Sequence, residues 1–495
     1  MHLSKETITR ISDKDISLPS KGIFSLPEKV LQFGTGVLLR GLCDYFIDKA
    51  NRQNIFNGRI VVVKSTGKGD TDAFALQDGL YTHVVKGIEN GNIIEEKIIN
   101  ASISRVLSAN NQWPAVLACA AQKSMQIIIS NTTEVGITYK GENILSGPPA
   151  SFPGKLLAWL YERYRVFSGS VDAGMIIIPT ELVTENAKKL KDILLQLSLF
   201  NQLDEKFVRW LQTANHFCCS LVDRIVPGKI AIDEEKDGYT DDIAVMSEAY
   251  RLWAIETSDE HDTKELSFAR SDSGVILAAD IYKYRELKLR LLNGTHTLSC
   301  GLAVLAGFTT VKDAMADFNF KKFVTHVMLD EIAKAIIDEQ INYDEAKSFG
   351  EKVIDRFSNP FIEHQWLSIT LQYTSKMMMR NIPVLQKHYQ KNNSVPDLIA
   401  IGFAAYILFM KSRRNEKGNF TGTANNTDYP ITDDKAAILY EYWQQDKVDA
   451  VVQNIFADKS LWNDDLNQYP GFGEAVTRNV KFIIKNGASR LIQTI

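Results

Sequence analysis

At 495 residues the chain is long enough for two domains, and its 45% apolar and 23% charged content is that of a folded globular protein. With 56 basic and 60 acidic residues the net charge is −4, which excludes the basic excess of a nucleic-acid binder and any long charged tail. A polar, mixed-charge start (MHLSKETITRISDKD), a longest apolar run of 13 residues (Leu398 to Met410), five scattered cysteines and eight histidines without zinc-ligand spacing argue against a signal peptide, a membrane span, a disulfide framework and a metal centre; a cytoplasmic protein is expected.

Taken in chain order, the first half alternates short β-branched runs with helical patterns. Lys29 to Phe33 predicts a strand, Gly34-Thr35-Gly36 a turn, and Val37 to about Asn51 a helix. Arg59-Ile-Val-Val-Val63, Met125 to Ile129 and Gly174 to Ile178 are continuous apolar runs of the kind a parallel sheet buries. Strands separated by helical stretches predict βαβ units in a doubly wound sheet. From about Tyr282 onward the patterns are long and of period 3.6: Leu287–Ala306, Phe320–Ile341, His364–Gln390 and Pro396–Ser412. Residues 414–433, rich in Gly, Asn, Thr and Asp, read as an exposed loop. The expected fold class is therefore α/β, with a Rossmann-like domain over 1–275 and a mostly α-helical domain over 276–495.

The strand, Gly34-Thr35-Gly36 and helix make the context of a dinucleotide-binding turn: Gly34 permits the tight turn, and Gly36 lets backbone approach a pyrophosphate seated on the helix N-terminus. The third glycine of GxGxxG is replaced by Leu39, so on this pattern alone an ordinary strand-to-helix turn fits as well. The second strand runs into Lys64-Ser65, with Asp70 further on, where an acid would bind ribose hydroxyls. A lysine there suits a 2′-phosphate, and the choice between NAD and NADP stays open at this position.

Lys288, Asn293 and His296 fall within a ~140° arc of one α-helix, among Leu289, Leu291 and Leu292. A lysine half-removed from water gives up its proton more readily and serves as general base for an alcohol and general acid for a carbonyl. Asn293 offers an amide donor to an alkoxide, and His296 can relay a proton. Three polar residues on one helix face are, by themselves, more often a solvated stripe.

Lys288-Leu-Arg-Leu-Leu-Asn293-Gly-Thr-His296 fits the K-x4-N-x2-H signature of the mannitol dehydrogenase family of long-chain polyol dehydrogenases, which the chain resembles. Phe33-Gly34-Thr35-Gly36-x3-Arg40 is similar to that family's shortened glycine turn, Gln77-Asp-Gly-Leu-Tyr-Thr82 to its QDGLYT segment, and Ser220-Leu-Val-Asp223-Arg-Ile225 to its (S/T)xVDRI segment, all in family order. The resemblance implies a metal-independent, NAD-dependent oxidoreductase with Lys288 as acid/base, Asn293 on the reacting oxygen, and His296 and Asp223 on substrate hydroxyls. A second family asparagine falls on Asn186, although the following glycine is Ala187 here. Ser130 to Tyr139, Ile176 to Leu182, Phe217 to Asp223 and Arg356 to His364 carry a closer likeness to a hexuronate-reducing branch, which implies D-altronate/D-tagaturonate as the substrate pair. Polyol enzymes of the family carry an arginine at the position of Ser368, and a downstream family lysine matches Lys376. A uronate needs a cation for its carboxylate; His364, Lys376 and Arg380 are candidates, with His364 and Lys376 expected together on one helix face, against the plainer reading of surface cations at helix ends. Glu134 suits a cofactor contact or a helix cap equally. A fructuronate reductase or neutral-polyol enzyme, and a non-catalytic nucleotide-binding regulator, remain alternatives.

Overall fold

The run Arg59-Ile-Val-Val-Val-Lys64 is buried at all six positions, as a strand covered on both faces must be. In the computed structural model, which describes residues 1–11, 13–65, 72–132, 136–445 and 447–495, it is the second of six strands in one sheet. In chain order these are β1 Glu28–Phe33, β2 Arg59–Lys64, β3 Ile103–Ser108, β4 Ile127–Ser130, β5 Ile176–Pro179 and β6 His216–Phe217. Their spatial order is β3-β2-β1-β4-β5-β6, and every neighbouring pair is parallel. That is the doubly wound dinucleotide-fold order, with the switch point between β1 and β4.

The period of two sorts the strand side chains between two cores. Leu31, Phe33, Val61, Val63, Ile128 and Ile177 pack with Leu156, Trp159, Leu194 and Trp210. Val30, Ile60, Val62, Ile127, Ile129, Ile176 and Ile178 pack with Phe46, Trp253 and Phe268. Each such side chain contributes about 1.5–3 kcal/mol on burial, which fixes the register against a one-residue slip. The flanking helices that matter below are α1 Val37–Gly41, α2 Cys43–Arg52, α3 Phe152–Val166 and α4 Asn186–Phe200. The expected single helix from Val37 is broken at Leu42, whose φ of −131° and ψ of −74° are not helical. All five cysteines are buried free thiols.

The chain divides into two compact units, Met1–Gly87 with Ile93–Ile281, and Ile88–Asn92 with Tyr282–Ile495. A separate five-stranded sheet includes Tyr81–Glu89 and Asn92–Asn100, joined at Asn90-Gly91; both turn residues have positive φ (53° and 76°), as a two-residue hairpin turn requires.

The second unit is mainly helical: α5 Tyr282–Leu287, α6 Thr295–Ala306, α7 Tyr343–Phe357, α8 Tyr373–Lys391, α9 Asp397–Phe409 and α10 Phe472–Asn486. Helix α9 is apolar all round and therefore central; Phe403 meets Phe456, Trp462 and Phe472. Two expectations are corrected. The loop expected over 414–433 forms antiparallel strands Arg413–Arg414, Phe420–Ala424 and Thr427–Ile431, turning at Asn425-Asn426 (φ 49° and 61°) with Tyr429 buried. The helix expected from His364 to Gln390 is interrupted: Trp366–Ile369 forms a short turn, Gln372 adopts a left-handed φ of 51°, and α8 begins only at Tyr373.

Candidate active site

In the first unit, a cavity of about 780 Å³ opens at the C-terminal ends of the parallel strands. Gly34, Thr35, Gly36, Ser65, Asn131 and Lys140 are among its lining residues. Gly34 is held by its N–H to Val63 O (3.0 Å), and Asn131 N–H donates to Phe33 O (3.1 Å), so β1, β2 and β4 together fix the turn. At Gly36 no atom lies within 4 Å of where a Cβ would stand. The bare turn, its following helix and the cavity suit a dinucleotide, which needs close backbone approach at this point.

Two residues of the glycine-turn reading lie elsewhere. Phe33 is fully buried and packs on Phe152 (5.2 Å between ring centroids). Arg40 is buried, donates to Ile243 O and lies over the rings of Phe74 and Tyr81, while Tyr81 OH donates to Arg40 O (2.8 Å). The QDGLYT segment thus braces the helix behind the turn. Lys64 is buried in β2, and Ser65 is the residue at the cavity; its hydroxyl is buried without a partner among the described residues. Asp70 and Glu134 lie outside the described residues.

Sequence reasoning missed Glu181. Its buried carboxylate accepts from Thr132 N (2.9 Å), Thr132 Oγ1 (3.0 Å) and Ser130 Oγ (3.1 Å), tying the end of β5 to the cavity wall after β4. The available signal was position alone, since both segments follow parallel strands beside the switch point. Asn186 is buried, and its amide is engaged inside the unit: Nδ2 donates to Pro179 O, Glu181 O and Ser220 O, and Oδ1 accepts from Ala187 N and Ser220 N. It fastens the start of the strand Ser220–Asp223, which ends in the buried Asp223. A trio His216, Asp259 and Asp262 has spacing fit for a cation, but Asp262 already accepts from His216 Nδ1 (2.6 Å) and Thr257 Oγ1 (2.9 Å), and Asp259 caps the following helix.

In the second unit, Lys288–Gly294 is a π-turn between α5 and α6. The i→i+5 pattern of such a turn makes residues five apart neighbours on one face, as residues four apart are in an α-helix. Lys288 and Asn293 are five apart and both half-buried, so they align more closely than the expected α-helix allows. The widened turn is fastened to α8 by two arginines. Pro383, inside α8, lacks the N–H that would bond Met379 O. Arg290 supplies a donor instead: its Nη1 reaches Met379 O (2.6 Å) and Arg380 O (3.0 Å), and Glu286 holds its other side. In return Arg380 Nη1 donates to Thr297 Oγ1 (2.9 Å) and, more weakly, to Asn293 O (3.4 Å), which also accepts from Thr297 Oγ1 (2.7 Å). Gly294 allows this approach, since a Cβ there would stand 3.0 Å from Asn381 Oδ1.

His296 follows on α6. Its ring stacks on Phe357 (3.8 Å, 3°) and meets His364 and Trp366 edge-on at 5.4 and 5.9 Å. Its Nε2 is buried without a partner among the described residues. Burial holds the imidazole well below its ordinary pKa range, reinforced by the charges of His364, Arg356, Arg380 and Lys376, so it is neutral at physiological pH. Burial and Lys376 lower His364, and burial and Arg380 lower Lys376, whose Nζ donates to Ile369 O (2.9 Å). His364 and Lys376 do not share a helix, because the chain breaks at Gln372, but both act on His296. Ser368, where polyol enzymes carry arginine, is exposed and donates to Gln365 O (2.7 Å).

The family model of the mannitol dehydrogenase Rossmann domain matches residues 28–267, and that of the mannitol dehydrogenase C-terminal domain matches residues 280–484. An altronate oxidoreductase of Bacillus subtilis (strain 168) is 35% identical over 476 residues, 94% of this chain and 95% of its own. One from Klebsiella pneumoniae (strain 342) is 34% identical over 483 residues, 95% and 97% of the two chains. The mannitol 2-dehydrogenase of Pseudomonas fluorescens, solved as a ternary complex with NAD and D-mannitol, superposes with a TM-score of 0.67 at 19% identity, covering 100% of this chain and 99% of that one. Among the described residues, no helix is long and apolar enough to cross a membrane. The chain belongs to the mannitol dehydrogenase family and is a dinucleotide-dependent oxidoreductase of CH–OH groups.

Proposed function

We propose that the chain is a tagaturonate reductase: it interconverts D-tagaturonate and D-altronate in hexuronate breakdown, with NAD as the dinucleotide. The observation that carries the substrate class is the cationic wall beside His296, where Arg356, Lys376 and Arg380 all act on one buried imidazole. A neutral polyol has no use for that charge; a sugar acid brings a carboxylate to meet it. The altronate oxidoreductases similar over nearly the whole chain support the same reading. That Ser65 and not Lys64 lines the cavity supports NAD, since Lys64 is turned into the core and away from a 2′-phosphate.

When bound, the dinucleotide supplies or accepts the hydride. Lys288 gives its proton to the ketone oxygen during reduction and takes it back from the alcohol during oxidation. The Asn293 amide donates to that oxygen as negative charge grows on it. His296, neutral and with an open ring nitrogen, bonds a substrate hydroxyl, and Asp223 bonds another. Asn186 holds the Asp223 strand in place. Lys376 brings charge to the carboxylate, and His364, neutral beside it, offers a ring N–H. Following NADH oxidation with D-tagaturonate, D-fructuronate and D-fructose side by side tests the assignment: preference for tagaturonate is expected. Preference for either other substrate overturns it, and NADH binding without turnover on any of them favours a regulator.

A further inference from the structure

Of His364, Lys376 and Arg380, the arginine is the one built to grip a carboxylate by two points. Lys376 already spends one donor on Ile369 O, and a lysine is a point charge. His364 is neutral when its neighbours are charged. Arg380 sits half-buried on α8, and among the described residues its hydrogen bonds use only Nη1, to Thr297 Oγ1 and Asn293 O, both uncharged. Its Nε and Nη2 have no partner, and no carboxylate pairs with it, among the described residues. Burial lowers its pKa, yet a guanidinium keeps its charge in such a setting. A partly buried cation without a counter-ion is unfavourable unless an anion completes it.

The fork is also held still. Arg290 clamps the backbone at Met379 and Arg380, and Glu286 clamps Arg290. Thr297, at the start of α6 and four residues beyond Asn293, fixes Nη1. The guanidinium is therefore anchored, through Nη1, beside the turn that carries Asn293. An unpartnered, buried His296 Nε2 in the same cluster is a second sign that a polar ligand is missing from its surroundings.

We infer that Arg380 is the specificity-determining residue for the substrate's carboxylate, receiving it through the free edge of its guanidinium, with Lys376 adding charge; this rests on the sugar-acid reading above. The test compares wild type with Arg380→Met and Arg380→Lys in steady-state reduction of D-tagaturonate. Losing a charge-assisted pair predicts a KM raised about 10- to 100-fold in Arg380→Met with kcat within about threefold. Arg380→Lys, which keeps charge but not the fork, falls between, at about 3- to 10-fold. A KM within about threefold of wild type in Arg380→Met, or a fall in kcat at unchanged KM, overturns the inference; the second result marks a residue acting only through Asn293. If thermal unfolding shows that Arg380→Met does not fold, Arg380→Lys carries the test by the same criteria. Wild-type activity on another hexuronate overturns the substrate's name and leaves Arg380 to its own KM ratio; activity on neutral ketoses alone overturns both.

Discussion

Alanine at Gly34 and at Gly36 separates the fold of the turn from its use. Gly34 has a φ of +128°, and a Cβ there would stand 2.9 Å from Asn131 O and 3.1 Å from a Leu39 methyl. The oxygen belongs to backbone at the end of β4 and cannot swing aside. A non-glycine residue in such a conformation costs about 1–3 kcal/mol before the clash is counted. At about 2–4 °C per kcal/mol for a domain of this class, Gly34→Ala lowers the melting temperature by about 2–12 °C. Gly36 differs in both respects: its φ of −64° suits any residue, and its Cβ would meet nothing within 4 Å. Gly36→Ala leaves the fold intact and puts a methyl group into the cavity where phosphate oxygens need the backbone. Weakening one charge-assisted hydrogen bond there raises the NADH dissociation constant about 10- to 100-fold. Thermal unfolding and NADH fluorescence titration read the two effects. A folded Gly36→Ala protein that binds NADH as wild type does would remove the dinucleotide from this cavity, and an unchanged melting temperature in Gly34→Ala would refute the strain argument.

Lys288→Ala is expected to cut turnover by about 10²–10⁴ while NADH binding, measured by fluorescence, is retained; unchanged turnover removes the lysine from the chemistry. Asp44 is fully buried behind the glycine turn, one oxygen accepting from Gln32 Nε2 at 3.4 Å and the other without a partner, and burial pushes its carboxyl up to about 8. Because the folded value lies above the unfolded one, its stability contribution is full below about pH 4 and lost as pH rises through about 8, so Asp44→Asn gains on wild type by up to about 1.4 kcal/mol per pH unit between pH 5 and 7.5. Urea unfolding at several pH values checks this, and a margin that does not change with pH sinks it.

The nucleotide-binding sheet was legible because its strands are buried on both faces. Arg59 to Val63 and Met125 to Ile129 admit no polar position, and only a covered parallel sheet asks for that. The Tyr81–Asn100 hairpin carried a readable Asn90-Gly91 turn, but its strands mix Lys, Glu and Asn with apolar residues and offer no clean alternation. The strands over 413–431 were hidden for a related reason: a small exposed sheet needs few apolar residues, and Tyr429 and Ile431 are its main anchors. The break before α8 depends on Gln372 taking a left-handed φ, for which glutamine gives no local cue.

The candidate site divides along the same line. Residue types that do chemistry, Lys288, Asn293 and His296, stand out by pattern, whereas the geometry that aligns them does not. No residue in Lys288 to Gly294 marks a π-turn; its existence follows from partners almost 90 residues away. Pro383 frees a carbonyl that only a side chain from elsewhere can satisfy, Arg290 satisfies it from within the turn, and Arg380 answers from α8. A widened turn has poorer hydrogen bonding than the α-helix it interrupts, so it persists where surrounding contacts hold it, and such turns concentrate at functional positions. Read as an α-helix, the stretch spreads its polar residues across a wide arc. Lys288 and Asn293, far apart around an α-helix, become neighbours on one face of the π-turn, and Arg290 and Arg380 hold that turn against α8.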